Sequence, residues 1–469
     1  MKRSKGLILE RFLLFLFVLL LFCMVLSGCG DGNMGENGPQ DRVILTAAVL
    51  RKENSFTDMV EEFNRSNKDY YIEVKVYDAL EWDGSDALQS LIMEMVAGGG
   101  PDIIWMDDRS NAAFAAGKLL EDIYPYMSSD QDFSMADYYE NVWDAFSLEG
   151  KLYTLPTSFV IDTFAGNGKL MEAYVTEYQV GEASVPTWEI TDLTECYQDF
   201  SRQSNERVWL FPGDNKRSVF AELCYSGMDQ FVDWSSGECR FQDKAFLDLL
   251  EFAGAFPDTI DIDDSTSLRD LYRSGRALLY PIRIINVWSV ALAEAVFTGE
   301  NVIFPGHPVR ANKPEETGAV AYPADGFLTM NRNSLHKEGV WQFMKNCLSE
   351  QIQRQATGIP MLRTISEERL AAALTPEYEL VDGVEVPKVQ SYVRFEGEQS
   401  VELTVVTDEN ATVFRGLVES VRRSRTVEET LYSIVLEEVE MFFAGDRTAE
   451  KTADVIQSRV SVYVSERVR

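Results

Sequence analysis

The chain has 469 residues, 45% of them hydrophobic and 25% charged, a composition that supports a packed core and excludes disorder and collagen-like structure. Asp and Glu outnumber Lys and Arg by 76 to 43, a formal charge of -33 with pI near 4.4, so phosphate backbones repel the chain and a nucleic-acid partner is excluded. Two histidines, His307 and His336, rule out a His-rich metal centre, and any catalytic imidazole has to be one of them.

Lys2, Arg3, Lys5 and Arg11 precede an entirely apolar run from Phe12 to Leu26. Small residues and a cysteine follow, in the order of a secretory signal. The run is shorter than the roughly twenty residues of a spanning helix, which disfavours a permanent transmembrane anchor. Leu26-Ser27-Gly28-Cys29 resembles the bacterial lipobox, whose cysteine is lipid-modified and becomes the new N-terminus. That resemblance implies removal of residues 1–28 and membrane attachment through lipid on Cys29. Cleavage takes away four positive charges and one negative, deepening the charge to -36. Residues 29–41, rich in Gly, Asn and Asp, read as a flexible tether.

Val43 to Leu50 has strand length and apolarity, and Phe56, Met59, Val60 and Phe63 then recur on one helical face. Tyr70 to Tyr77 alternates as a strand. Leu88, Leu91, Ile92 and Met95 mark a second helix, which stops at Gly98-Gly99-Gly100 before the apolar Ile103 to Met106. Strand and helix alternate, the pattern of an α/β fold with a mostly parallel sheet that binds ligands beyond the carboxyl ends of its strands. Asn111 to Leu120 reads as a further helix, and Lys151 to Pro156 as a strand leading into a second lobe. Val302 to Gly306, Ala319 to Asn331 and the amphipathic Val340 to Leu348 read as a return to the first lobe. From Glu409 three helical patterns follow. Thr426-Val427-Glu428-Glu429 is a capping-box start, Gly445 ends that helix, and the last helix runs from about Thr448 to Glu466. Cys196, Cys224, Cys239 and Cys347 contain no CxxC pair; they read as scattered buried thiols, with a Cys224–Cys239 disulfide the alternative.

Several strings together resemble the extracellular solute-binding protein family 1, the ABC-importer receptors that include maltose-binding protein. They are AGGGPDII at 97–104, GKLLEDI at 117–123, EGKLYTLP at 149–156, PTWE at 186–189, GRALL at 275–279 and VWQFM at 340–344. The resemblance implies a two-lobed, type II periplasmic-binding-protein-like fold. Residues 42–156 and about 302–355 form lobe 1; residues 157–301 and about 356–469 form lobe 2, with the C-terminal helices. It also implies a sugar or oligosaccharide in the cleft, no cofactor, a monomer, and delivery to ABC permease subunits served by a cytoplasmic ATPase.

A saccharide offers hydroxyls to carboxylates, amides and guanidinium groups, and C–H faces to aromatic rings. Trp105, Asp107, Asp108 and Arg109 stand where a strand ends; the family resemblance assigns Asp108 and Arg109 to the ligand, while Asp107 serves equally as a helix cap. Arg51 follows the first strand as a cleft or surface charge, and Trp82, beside Glu81, follows the second. Asp162 lies inside an apolar strand and requires a partner there. Val160 takes the place of a cleft glutamate in maltose-binding protein, which counts against maltose. Arg283 and Trp288 follow the GRA string, with Trp288 near the family's stacking aromatic, and Asp325 sits at a strand entry as a ligand or turn residue. Trp188 reads as structural.

No GxSxG, HExxH, Walker or Rossmann motif is present. Asp261 to Asp264 lacks the ligand spacing and central glycine of a calcium loop. The reading is a lipid-anchored, extracytoplasmic receptor. Its rivals are a secreted carbohydrate-active hydrolase, a binding protein for a non-sugar solute, and one that feeds a membrane sensor.

Overall fold

The computed structural model describes residues 41–50, 54–77, 85–106, 118–259, 267–297, 301–310, 317–394, 400–425 and 428–468. The opening elements follow the apolar spacing. Strand β1 (Val43–Val49) leads to helix α1 (Asn54–Ser66), whose Phe56, Met59, Val60 and Phe63 are all buried. Strand β2 (Tyr70–Val76), helix α2 (Ser85–Val96) and strand β3 (Ile103–Met106) come next. Beyond a helix at Tyr124–Ser129, α3, and another at Glu140–Phe146, α4, the short β4 (Thr154–Pro156) ends this part of the chain. The expected helix from Asn111 lies outside the described residues up to 117.

The first sheet has the order β2-β1-β3-β8-β4, in which β8 is the late segment Phe327–Met330. β1 and β3 are parallel, but β8 runs antiparallel to both β3 and β4. The expectation of a mostly parallel sheet is therefore corrected to a mixed one. The reason is geometric. β3 ends at Met106 opposite Phe327, where β8 begins, so a strand that enters at the end where its neighbour leaves must run the other way.

The second sheet is built around β5 (Ser158–Asn167), whose partners are all antiparallel to it. Its order is β6-β5-β7-β10, with β6 Leu279–Ile284, β7 Val320–Pro323 and β10 Arg423–Ser424. Val302–Ile303 pairs with the far end of β5, and β9 (Ile359–Pro360) with its start. Thus Val302–Ile303 and Val320–Pro323 belong to this second sheet, and the first sheet is rejoined at Phe327.

Among the described residues, three crossings join the sheets. Thr157 alone separates β4 from β5, and Ala324 to Gly326 separate β7 from β8. The third runs from helix α9 (Lys337–Cys347), packed on α1 through Phe343, to β9. The buried Gln353 ties this third crossing to the first. Its Nε2 donates to Thr157 O at 2.8 Å and to Cys347 O at 3.1 Å, and its Oε1 accepts from Leu362 N at 3.1 Å. A Cβ on Gly358 would meet Phe159 O at 2.5 Å and Ala324 Cβ at 2.7 Å, so glycine permits the second and third crossings to touch.

Helices complete the second half: α5 (Ile190–Gln203), α6 (Lys216–Tyr225), α7 (Lys244–Gly254), α8 (Val287–Val296), α10 (Arg363–Ala373), α11 (Asp408–Ser420), α12 (Glu429–Phe443) and α13 (Ala449–Val468). The cap of α12 is Glu428, whose carboxylate accepts from Leu431 N at 2.8 Å; this corrects the capping box placed on Thr426, which lies outside the described residues. Gly445, at φ +80°, ends the helix as expected. Cys196, Cys224, Cys239 and Cys347 are free thiols, all but Cys239 buried. Trp188 is buried and donates to Gly306 O at 3.0 Å.

One buried acid has a cost that a substitution can recover. Asp214, 2% exposed, accepts from Leu210 N at 2.5 Å; burial pushes its carboxyl up to about 6 against that hydrogen bond and the charge of Arg207. A carboxyl raised above its unfolded value favours folding below about pH 4, and this contribution is lost as pH rises through about 6. Asp214→Asn keeps an acceptor for Leu210 without a charge. It is expected to exceed the wild type in stability by roughly 1–3 kcal/mol at pH 8, with the gap closing by pH 4 in urea denaturation.

Candidate functional site

A row of polar residues crosses the second sheet near the crossings. Arg283 of β6, Asp162 of β5, Val320 of β7 and Arg423 of β10 are opposite one another in register and so share one face. Tyr322, two residues beyond Val320, lies on that face as well, and α6 ends against it.

Asp162 is the centre. Its Oδ2 accepts from Ser226 Oγ at 2.5 Å and lies 3.6 Å from His307 Nε2 and 4.0 Å from Arg425 Nη1. Burial pushes the carboxyl up, but His307, Ser226 and Arg425 outweigh it and hold the group down at about 2. Asp162 is therefore a carboxylate across the whole physiological range. His307 is completely buried and tilted on Phe164 at 4.6 Å, and neither ring nitrogen has a hydrogen-bond partner among the described residues. Burial pushes the carboxyl of Glu222, on α6, upward; His307 opposes this, and Asp162 adds to it. Arg425 lies 3.8 Å over the Tyr322 ring and 5.3 Å from that of Tyr225. Next to it, Arg423 grips Asp229 with bonds of 2.9 and 2.7 Å and donates to Ser226 O.

A second group gathers at the crossings themselves. Asp325 accepts from Thr357 Oγ1 at 2.9 Å and from Ser158 Oγ at 3.5 Å, joining all three crossings. A Cβ on Gly326 would meet the Trp105 ring at 2.8 Å. Trp105 itself is 4% exposed and stacked on Phe56 at 5.1 Å, so it forms the floor beneath the crossing. Trp288, in the first turn of α8, lines a cavity of about 190 Å3 with Ile285, Thr357, Gly358, Arg369 and Phe414. A larger cavity of about 290 Å3 lies at the opposite edge of the second sheet, between Phe146 and Tyr153 on one side and Trp234 and Arg423 on the other. Its arginines are engaged, Arg423 with Asp229, Arg240 with Glu238, and Arg422 with the carbonyls of Glu419 and Val421.

The structure thus brings Asp162 and Arg283 together on one wall, and Trp105, Trp288 and Asp325 around the crossings. Cys29, Arg51, Trp82, Asp107, Asp108 and Arg109 lie outside the described residues, as do Glu81 and Asp261 to Asp264. Five wall residues escaped the sequence reading as binding groups: Glu222, Ser226, His307, Tyr322 and Arg425. One signal existed, the requirement of Asp162 for a partner in a chain with only two histidines.

The wall offers a carboxylate, three guanidinium groups and aromatic rings, an equipment for holding a polar ligand. Ser226 commits its proton to Asp162 rather than to a nitrogen base, so this trio lacks the serine-to-imidazole bond that activates a nucleophile. Among the described residues no cluster of three metal-ligating side chains occurs.

The family profile for bacterial extracellular solute-binding proteins matches residues 47–354, more than half of the chain. The chain is a bacterial extracellular solute-binding protein. Known structures give this solute-binding protein its fold. The sugar-binding protein MalE from Xanthomonas citri aligns with a TM-score of 0.56 at 16% identity, covering 91% of this chain and 98% of that one. A periplasmic oligogalacturonide-binding protein from Yersinia enterocolitica gives 0.56 at 14%, covering 91% and 100%. The cyclic alpha-maltosyl-1,6-maltose binding protein from Arthrobacter globiformis gives 0.53 at 13%, also covering 91% and 100%. A search of curated protein sequences returns no match. The fold is the two-lobed type II binding-protein fold expected from the sequence. Family membership implies an extracytoplasmic location for the solute-binding protein, and among the described residues no helix is long and apolar enough to cross a membrane.

Proposed function

We propose that this protein captures a sugar or oligosaccharide between its two lobes and hands it to an ABC importer, its permease subunits and ATPase being separate chains. Lipid on Cys29 would hold it at the outer face of the cytoplasmic membrane, as a monomer that needs no cofactor and catalyses no reaction. Lobe 1 comprises the first sheet with α9, and lobe 2 the second sheet with the C-terminal helices. The ligand touches the Asp162–Arg283 wall and Trp288 on one side, and Arg51, Trp82 and Asp107 to Arg109 on the other, with Trp105 and Asp325 at the base.

One observation supports this reading: the carboxyl ends of β1 and β3 lie at the end of the first sheet where the chain crosses, and the polar wall of the second sheet stands about 13 Å along β5 from the same crossing. A solute contacting both lobes only when they approach shifts the population toward the closed form. The sugar-binding relatives support the choice of solute.

The test is a thermal-shift screen of the mature chain across sugars, uronates, polyols, peptides and polyamines, followed by small-angle scattering with each hit. A saccharide is expected to raise the melting temperature and contract the particle. Stabilisation by peptides or polyamines alone refutes the sugar reading, and turnover of a labelled oligosaccharide refutes the receptor in favour of a hydrolase. Asp108→Ala and Trp288→Ala are each expected to weaken binding about tenfold or more while the protein stays folded. Unchanged affinity in both removes the site assignment.

A further inference from the structure

We infer that the solute is an acidic saccharide carrying a carboxylate, and that Arg283 is the residue that selects it. This rests on the saccharide-receptor reading and sharpens it.

Arg283 sits directly opposite Asp162, four residues or about 13 Å along β5 from the crossing at Ser158. Around it the wall is closed: the side chain of Asp162 is 13% exposed, Tyr322 8% and the side chain of Arg425 11%, whereas Arg283 is exposed. Arg425 is engaged, stacked on Tyr322 at 3.8 Å and 4.0 Å from Asp162. The guanidinium of Arg283 lies 5.8 Å from the Tyr322 centroid, too far for close stacking, and among the described residues no carboxylate comes within 4 Å of it. Glu222 acts on Arg283 electrostatically, without a hydrogen bond between them.

The charge balance makes this unusual. Acids outnumber bases by 76 to 43, so a solvent-facing arginine has many carboxylates to pair with, yet among the described residues none takes the donors of this one. The charge of Asp162 is already matched by Arg425 and hydrogen-bonded by Ser226, so Arg283 is the surplus cation of the wall. Its planar fork fits a carboxylate through two parallel hydrogen bonds, which no neutral hydroxyl pair reproduces with equal strength. The strongly acidic remainder of the protein repels anions at long range, so selection of an anion has to come from such a local, short-range contact.

The experiment is calorimetric titration of the mature chain with uronate oligosaccharides, with neutral counterparts of the same linkage and length, and with sulfated ones. It compares wild type, Arg283→Gln and Arg283→Lys at low and high salt. Uronates are expected to bind at least tenfold tighter than neutral counterparts at low salt. Arg283→Gln should lower uronate affinity by about ten- to hundredfold, lower neutral-sugar affinity by a several-fold smaller factor, and leave the melting temperature of the unliganded protein within experimental error. Arg283→Lys should recover part of the loss, since it restores the charge without the fork. Equal or better binding of neutral sugars overturns the inference, as does an equal loss for both sugar types in Arg283→Gln; a preference for sulfated sugars overturns the carboxylate assignment. If saccharides of every kind fail to bind, the receptor reading itself fails and takes this assignment with it.

Discussion

Gly306→Ala is expected to destabilise the protein by roughly 2–5 kcal/mol, the largest effect of any single methyl group discussed in this molecule. Two causes add. Gly306 has φ +69°, where an L side chain costs about 1–2 kcal/mol, and its Cβ would fall 2.2–2.4 Å from the C, Cα and O atoms of Gly318. Those are backbone atoms, unable to swing aside as the end of a side chain can. The close approach also seats functional neighbours, since His307 N donates to Gly318 O at 2.9 Å and Trp188 Nε1 donates to Gly306 O. Forcing the two segments apart should therefore shift His307 away from Asp162. Gly445→Ala is the control: φ is +80° there, but nothing lies within 4 Å, so only the conformational strain of about 1 kcal/mol applies. Urea denaturation of both variants decides it. Equal losses would mean that the contact between Gly306 and Gly318 is not tight.

Asp162→Asn is expected to cost roughly 2–4 kcal/mol at neutral pH, because it removes the counter-charge of the buried Arg425 and the acceptor of Ser226 without removing either. The effect has a distinct pH signature. The carboxyl titrates at about 2 in the folded protein and near 4 when unfolded, so its stabilisation is complete above about pH 4 and drains away as pH falls toward 2. The drop corresponds to about 2 kcal/mol in the wild type. In the Asn variant that segment of the stability profile should be flatter. A wild type and variant with parallel profiles between pH 2 and 4 would show that Asp162 has an ordinary environment. Since Ser226, His307 and Arg425 all address this carboxylate, the variant should also loosen the wall that holds Arg283 opposite it.

Local patterns were the legible part of this protein. Phe56, Met59, Val60 and Phe63 announce a buried helix face because four residues within two turns suffice to define it, and the structure buries all four. The sign of Gly445 was equally local. What local pattern could not reveal is which distant strand fills a sheet. β8 reads as a short apolar run like many others, and only the crossing geometry places it, reversed, between β3 and β4. The same holds for the wall. Asp162 signals by its polarity that it needs partners, yet Ser226 is 64 residues away and His307 and Arg425 are farther still, so their arrival depends on tertiary packing. Trp105 illustrates the converse: its place at a strand end pointed to a ligand, while packing against Phe56 sets it in the floor.

The late insertion of β8 has a consequence for biogenesis. A ribosome or export channel delivers the N-terminus first, yet the first sheet cannot be finished until Met330 has emerged, and the second still awaits its edge at Arg423–Ser424. Most of the polypeptide must be present before either half can lock. Such long-range wiring slows folding, and it leaves the emerging chain pliable enough to thread a narrow translocation pore before it knits together on the far side.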